Sequence, residues 1–91
     1  MEIRFTEHAL EEYKSWVETD VKIVAKIKHL ILDIKKDPFK GIGKPEALRY
    51  SLKGYWSRRI TKEHRLVYKV EGKKGSNQKC IIIQCMYHYD D

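Results

Sequence analysis

The chain has 91 residues, with 42% hydrophobic residues and a formal net charge of +6. This length gives one domain with a single modest core, and the longest apolar stretch, Cys80 to Ile83, is far below the roughly 20 residues that span a membrane. Because the N-terminus also lacks a cationic start followed by an apolar block, we expect one cytoplasmic domain over residues 1–91 with no membrane segment.

Two amphipathic helices are predicted in the first half of the chain, after a possible edge strand at Ile3 to Phe5. Thr6 and Asp20 stand where the helices would begin, and both residue types accept hydrogen bonds from a first helical turn. The residue before a proline is pushed out of helical geometry, so Asp37 before Pro38 ends the second helix. We therefore predict an antiparallel helical hairpin. Its apolar positions recur at helical spacing, at Ala9, Leu10, Tyr13, Trp16 and Val17 and then at Ile23, Val24, Ile27, Leu30, Ile31 and Ile34.

Strands are predicted in the second half, after a loop from Phe39 to Glu46 that contains glycine and proline. A long polar hairpin tip from Glu71 to Lys79 is either a plain surface turn or a binding element. Because strands follow helices along the chain, we predict an α+β domain, with the two-helix N-terminal hairpin packed on one face of a twisted antiparallel sheet of about four to five strands. The predicted strands are Leu48 to Leu52, Tyr55 to Ile60, His64 to Val70 and Cys80 to Tyr89.

The excess positive charge is confined to the second half of the chain. Residues 1–47 hold nine Lys or Arg and nine Asp or Glu, whereas residues 48–91 hold ten and four. This asymmetry indicates a face that binds polyanions, with an acidic partner protein or simple solubilising lysines as the other interpretations.

The sequence predicts no metal site and no cofactor. Cys80 and Cys85 lie five positions apart on one predicted strand, so they should face opposite sides and stay unbridged. The histidines do not combine with these cysteines at any zinc-like spacing. They are His8, His29, His64 and His88.

Strand parity brings two arginines together. Directly opposite residues of an antiparallel hairpin share a face, so the odd-numbered loop between Ile60 and His64 sets Arg59 beside Arg65. Two like charges in such a position are tolerated best where an anion such as phosphate lies between them. On the last predicted strand, His88 can be partly exposed and able to titrate. Each of these residues alone is weak evidence, because exposed arginines and histidines are common.

Three blocks of sequence, in this order and spacing, resemble those of a known family. They are DPFKGIGKPEALRYSL (Asp37 to Leu52), GYWSRRITKEHRLVY (Gly54 to Tyr68) and CMYHY (Cys85 to Tyr89). They resemble the signature blocks of the YoeB/Txe toxins, which belong to the RelE superfamily of messenger RNA interferases. The helical segment from Trp16 to Ile34 is also similar, so the resemblance covers nearly the whole chain.

The resemblance implies a RelE-like fold and the toxin of a type II toxin-antitoxin system. It implies a metal-independent, ribosome-dependent endoribonuclease that inhibits translation, in which a 2′-hydroxyl of the mRNA attacks the adjacent phosphate. Such chemistry needs a base, cations and an acid. The resemblance assigns the base to Glu46 and the acid to His88. It also assigns phosphate and transition-state stabilisation to Arg59 and Arg65, substrate orientation to Tyr89, further RNA or phosphate contacts to Lys44 and Arg49, and a supporting role to Glu63.

The implied partners are a cognate antitoxin and the ribosome with its mRNA, and the sequence leaves both a monomer and a homodimer open. The antitoxin would cover the basic face with an extended acidic segment. Two features of the sequence depart from the family pattern. Arg49 stands where lysine is common, and a planar guanidinium binds phosphate with a different geometry from that of an ammonium group. Asp90 and Asp91 extend the chain beyond the His-Tyr pair.

Two other classes of function remain open on sequence alone. The same superfamily fold occurs in toxins that inhibit DNA gyrase without cutting RNA, although Glu46 together with His88 argues against that function. A non-catalytic RNA-binding protein that uses the basic sheet is the second class, and RNA affinity that depends on salt without any product would mark it.

Overall fold

The computed structural model describes residues 1–88. The elements are β1 (Glu2–Phe5), α1 (Glu7–Thr19), α2 (Val21–Lys36), β2 (Glu46–Ala47), β3 (Trp56–Arg59), β4 (Arg65–Lys73) and β5 (Ser76–Gln84). Two helices packed on a five-stranded sheet make the predicted α+β domain. Within the described residues, no helix combines the length and the apolar character needed to cross a membrane.

Both helices begin at the predicted capping residues. The Thr6 hydroxyl accepts the N–H of Ala9 at 3.2 Å, and the Asp20 carboxylate accepts two N–H groups of the first turn of α2. The second helix ends immediately before Asp37, as the following proline predicts. The helical hairpin is therefore set by local sequence signals.

The core lies between the helices and one face of the sheet. The first helix contributes less of its apolar surface than predicted, since Ala9 is buried but Leu10 and Val17 are exposed. The second helix contributes nearly all of its predicted positions. Those buried are Ile23, Val24, Ile27, Leu30 and Ile34.

The strand order in the sheet is β1-β5-β4-β3-β2. Neighbouring strands are antiparallel except for β1 and β5, which run parallel and make the sheet mixed. The two parallel strands are the first and last in the chain, so no tight turn connects them and forces an antiparallel pairing. The edge strand predicted at Ile3 to Phe5 is present as β1.

The strand predicted from Leu48 to Leu52 is wrong. Tyr50 has a φ of 56°, which interrupts an extended strand, and a single 3₁₀ turn forms at Tyr50–Leu52. The chain pairs with the sheet earlier, in β2, so Glu46 lies on a short strand at the end of the predicted loop.

The hairpin tip predicted from Glu71 to Lys79 is mostly part of the sheet. The last pair of β4 and β5 joins Lys73 to Ser76, so the turn itself is only Lys74 and Gly75. Gly75 has a φ of 81°, a conformation that suits a tight hairpin turn. The tip is therefore a structured ribbon and not a long loop.

Candidate functional site

Four residues form a row across the sheet face that is turned away from the helices. Glu46 pairs with Ser57, Ser57 with Val67, and Val67 with Gln84, and directly opposite residues share a face. The next residue along, Arg58, reaches α2, so Ser57 points the other way. We call the surface formed by this row and by Arg59 and Arg65 the open face. Ser57 and Val67 are buried there, so its centre is recessed.

A β-bulge turns Gln84 toward the open face. Tyr68 pairs with Ile82 and Val67 pairs with Gln84, so Ile83 is an extra residue in β5. Without the bulge, Gln84 would share the core-facing side of Ile82. The sequence analysis did not single out Gln84, because the position of a bulge is not visible in the alternation of residues.

Arg59 and Arg65 are directly opposite each other, as strand parity predicted. Arg59 is exposed, whereas Arg65 is only 8% exposed. The Arg65 Nη1 donates to the backbone carbonyls of Thr61, Lys62 and His64 at 2.9 to 3.1 Å. These contacts fix the guanidinium over the β3–β4 turn through its Nη1 group.

Glu46 lies beside this arginine pair. It is diagonal to Arg59 across β2 and β3, and residues in that relation are about 7–8 Å apart, with their Cβ atoms somewhat closer. Both side chains are exposed. A carboxylate and a guanidinium at this spacing can contact one phosphodiester and its ribose together.

The chain after β5, residues 85–88, carries His88, and we call it the terminal segment. The prediction that His88 lies on the last strand is wrong, because β5 ends at Gln84. The backbone N–H of Arg65 donates to the carbonyl of Tyr87 at 3.1 Å, which brings the terminal segment to the arginine pair. His88 is exposed. Tyr89, Asp90 and Asp91 lie outside the described residues.

Helix α1 holds the start of the terminal segment. The Trp16 Nε1–H donates to the carbonyl of Cys85 at 2.9 Å, and the Cys85 N–H donates to the Glu12 carboxylate at 2.8 Å. Both backbone groups of one residue are thus paired with side chains of α1. Cys85 therefore leaves the sheet with both of its backbone groups hydrogen-bonded.

Two further side chains hold the rest of the terminal segment. The backbone N–H of Tyr87 donates to the Nδ1 of His64 at 2.7 Å. The side-chain amide of Gln84 donates to three backbone carbonyls at 3.0 to 3.3 Å. Those carbonyls belong to Met86, Tyr87 and His88. The bulge in β5 therefore directs the Gln84 side chain toward the terminal segment.

The other candidate residues surround the open face. Lys44 is exposed, and the residue before it accepts the Arg59 N–H at 2.7 Å, so the lysine lies next to the arginine pair. Arg49 is exposed at the start of the 3₁₀ turn after β2. Glu63 is exposed in the β3–β4 turn, whose carbonyls are bound by Arg65.

Arg58 has a structural role that the sequence analysis missed. Although it is adjacent to Arg59, it lies on the core side of the sheet and is fully buried. Its Nη1 forms an ion pair with Asp33 on α2 at 2.5 Å. Its other acceptors are the carbonyls of Asp37, Lys40 and Ile42 and the Tyr68 hydroxyl.

These contacts fasten residues 37–43, which we call the Arg58 loop, to β3. Asp33 also accepts the N–H of Ile42 at 3.0 Å, and the Tyr68 hydroxyl donates to the carbonyl of Pro38 at 2.6 Å. The hydrogen bond from Arg58, followed by that from Ile42, lowers the pKa of the Asp33 carboxyl, while burial raises the pKa of Tyr68. The Arg58 loop, which leads to Glu46, is therefore held by the charged carboxylate of Asp33 and the neutral hydroxyl of Tyr68.

The two cysteines are free thiols, as predicted, and both are buried in the core. The prediction that they face opposite sides is wrong, because the extra residue Ile83 reverses the alternation and β5 ends at Gln84, before Cys85. Burial raises the pKa of each thiol to about 12. At neutral pH both are protonated, so neither can serve as a nucleophile.

The arrangement brings a carboxylate, two guanidinium groups and an imidazole-bearing segment to one recessed face. These group types can abstract a proton, stabilise a charged phosphoryl group and supply a proton. The fold defines the class of small α+β domains with the RelE-like fold. The RelBE2 toxin-antitoxin complex of Mycobacterium tuberculosis shares that fold at 20% identity, with a TM-score of 0.70.

The family model for the YoeB-like toxin of bacterial type II toxin-antitoxin systems matches residues 5–89. The chain therefore belongs to the family of YoeB-like toxins. It is 51% identical to Toxin YoeB of Streptomyces coelicolor over 89 residues, which cover 98% of this chain and 100% of that protein.

Solved structures agree with this family. A YoeB/ParE toxin from Agrobacterium tumefaciens superposes with a TM-score of 0.92 at 47% identity, covering 98% of this chain and 100% of that one. Structures of Staphylococcus aureus YoeB as a dimer and in a heterotetrameric YoeB-YefM toxin-antitoxin complex give TM-scores of 0.86 and 0.85, each at 43% identity with 98% of both chains covered.

Proposed function

We propose that this toxin is a metal-independent, ribosome-dependent endoribonuclease that cuts mRNA and so inhibits translation in the cytoplasm. The observation that supports the proposal most strongly is that Glu46, Arg59 and Arg65 share the open face, while the terminal segment with His88 is hydrogen-bonded to Arg65. A base, two cations and an acid at one phosphodiester are the groups that transesterification of RNA needs.

In the proposed reaction, Glu46 takes the proton from a ribose 2′-hydroxyl, and the 2′-oxygen attacks the adjacent phosphorus. Negative charge grows on the phosphoryl oxygens, where Arg59 and Arg65 stabilise it. His88 gives a proton to the 5′-oxygen as its bond to phosphorus breaks. The products are a 5′-hydroxyl fragment and a fragment ending in a 2′,3′-cyclic phosphate.

The remaining candidates have supporting roles in this proposal. Lys44 and Arg49 are exposed beside the open face and would contact neighbouring phosphates, which adds affinity that falls with salt. Glu63, in the turn bound by Arg65, would help to orient that arginine. Tyr89, which lies outside the described residues, would orient the substrate.

The proposed partners are the ribosome, its mRNA and an antitoxin. The Staphylococcus aureus relative is known in complex with YefM and as a dimer, so we propose a cognate antitoxin and a homodimer for this chain. The antitoxin would carry an extended acidic segment, because the second half of the chain holds ten basic residues against four acidic ones.

The proposal is tested by adding purified protein to a translation reaction and mapping new RNA ends. We expect Glu46→Gln and His88→Ala each to slow cleavage by about two to four powers of ten, since acid-base groups contribute on that scale. Matched controls are Glu18→Gln and His29→Ala, which change exposed residues of the helices. Near-normal cleavage by both site variants at equal folded concentration would remove the proposed mechanism.

Two other outcomes would assign a different function. Inhibition of gyrase supercoiling without new RNA ends would identify a toxin that acts on DNA topology. Salt-dependent RNA binding without product would identify a non-catalytic RNA-binding protein.

A further inference from the structure

We propose that His64 is a positioning residue that holds His88 in place by accepting the backbone N–H of Tyr87. His64 is the residue before Arg65, at the start of β4, and it is half-buried. This inference rests on the proposed function, because it gives His64 a role in the reaction only through His88. His64 itself was not among the candidate catalytic residues.

The hydrogen bond determines which nitrogen of the His64 ring is the acceptor. A backbone N–H can only donate, so the Nδ1 that lies 2.7 Å from the Tyr87 nitrogen must be the unprotonated nitrogen. The proton of the neutral ring is then on Nε2. The contact is directional, and it acts on the residue immediately before His88.

Aromatic contacts hold the His64 ring in the orientation that this bond requires. The ring packs edge-on against Trp16, with centroids 4.8 Å apart and an interplanar angle of 77°. It also lies against the Tyr87 ring, with centroids 5.5 Å apart. Trp16 also donates to the carbonyl of Cys85, so the same indole contacts both the His64 ring and the start of the terminal segment.

The position of Tyr87 is defined from two directions. Its N–H binds His64, and its carbonyl accepts the N–H of Arg65. Tyr87 has a φ of 63°, an unfavourable conformation for a residue with a side chain, so the contacts around it must hold it there. Loss of the His64 acceptor leaves a strained turn with fewer restraints directly before His88.

Histidine is suited to this position in two separable ways. Its ring packs against two aromatic side chains, which a phenylalanine could imitate, and its Nδ1 accepts a hydrogen bond, which an asparagine Oδ1 could imitate. A glutamine places its amide near the Nε2 position, one bond too far. His64→Phe, His64→Asn and His64→Gln therefore separate packing from hydrogen bonding.

The test is single-turnover cleavage of ribosome-bound mRNA by these three variants. We expect His64→Phe and His64→Gln to lower the cleavage rate constant by about tenfold to a hundredfold with little change in apparent KM, because small misplacement of a catalytic group costs on that scale. His64→Asn should recover most of the lost rate. Equal rates for His64→Asn and His64→Gln, or a normal rate for His64→Phe, would overturn the inference.

A double-mutant cycle distinguishes positioning from a general effect on the fold. If His64 acts through His88, then His64→Phe in the His88→Ala background should cost less than about twofold further. The same fold-loss in both backgrounds would show a structural role and overturn the inference. Hydrogen exchange of the Tyr87 amide should be faster in His64→Phe than in His64→Asn, and equal exchange would also contradict the proposal.

The failure of this inference can be told apart from the failure of the proposed function. A normal rate for His88→Ala would overturn the proposed function and the role of His64 with it. A large loss for His88→Ala together with a normal rate for His64→Phe would overturn the inference alone.

Discussion

The two segments that lead to Glu46 and His88 are held by different contacts. The Arg58 loop is fastened by a fully buried guanidinium that is paired with the Asp33 carboxylate. The terminal segment lies outside the strand ladder and is held by side chains of α1 and β5 and by His64, which immediately precedes β4. Segments with fewer buried contacts open before the whole protein unfolds. We therefore expect the Arg58 loop, which leads to Glu46, to open only when the whole protein unfolds. The terminal segment, which carries His88, should open earlier.

The largest expected effect on stability comes from Arg58→Met. This change leaves the carboxylate of Asp33 and the loop carbonyls without their donor, and breaking a buried pair in this way costs about 3–5 kcal/mol. Urea unfolding measures the cost. Arg59→Met is the matched control, because it removes the same charge from the exposed side and should cost less than about 1 kcal/mol. Equal costs for the two variants would contradict the comparison.

A smaller effect is expected for Gly41→Ala within the Arg58 loop. Gly41 has a φ of 131°, and an added Cβ would overlap the Asp33 carboxylate and lie 3.1 Å from the Arg58 Nη1. We expect a loss of about 1–3 kcal/mol in unfolding free energy. Gly54→Ala is the control, since its φ of 96° brings strain but no atom lies within 4 Å of the new Cβ. A greater loss for Gly54→Ala would show that this loop is not held as described.

On the other side of the comparison, Trp16→Phe should loosen the terminal segment with little effect on the Arg58 loop. It keeps an aromatic ring beside His64 but removes the donor to the Cys85 carbonyl, a bond worth about 1 kcal/mol. Hydrogen exchange should quicken in residues 85–88 and stay unchanged in residues 37–43. A uniform increase across both segments would contradict the prediction.

The smallest expected effect is a loss of unfolding free energy at acid pH, caused by protonation of the Asp33 carboxyl that holds the Arg58 loop. The pKa of Asp33 is lowered from 3.8 by its hydrogen bond from Arg58. A carboxyl whose pKa is lower in the folded than in the unfolded protein stabilises the fold, and this contribution is complete above the unfolded pKa of about 3.8. It is lost as the pH falls from there through the lower pKa of the folded protein. Asp33→Asn should therefore show a shallower fall in urea midpoint between pH 5 and pH 2 than the wild type. Parallel curves would contradict this assignment.

Local signals were enough to predict much of the fold from the sequence. Thr6 and Asp20 cap the helices through contacts within one turn, and proline ends α2. The pairing of Arg59 with Arg65 follows from the length of one short turn. The resemblance to the YoeB/Txe toxins correctly indicated the family.

Features that depend on distant contacts could not be predicted. Alternation along β3 places Arg58 and Arg59 on opposite faces, but the structural role of Arg58 depends on Asp33, which is 25 residues away in the sequence. The bulge at Ile83 reverses the alternation of β5, so parity alone misplaces Gln84. The role of His64 was missed for the same reason, since its partner Tyr87 is 23 residues further along.

The most direct test of the central claim is a change in the substrate and not in the protein. Replacing the single ribose 5′ of the scissile phosphate with deoxyribose removes the proposed nucleophile while leaving the phosphates that dominate binding. We predict that the substituted mRNA binds nearly as well but is not cut, and that the unmodified mRNA yields a 5′-hydroxyl and a cyclic or 3′-phosphate end whether or not a chelator is present. Cleavage of the deoxy-substituted mRNA at a normal rate would contradict the account, because water and not the 2′-hydroxyl would then be the nucleophile.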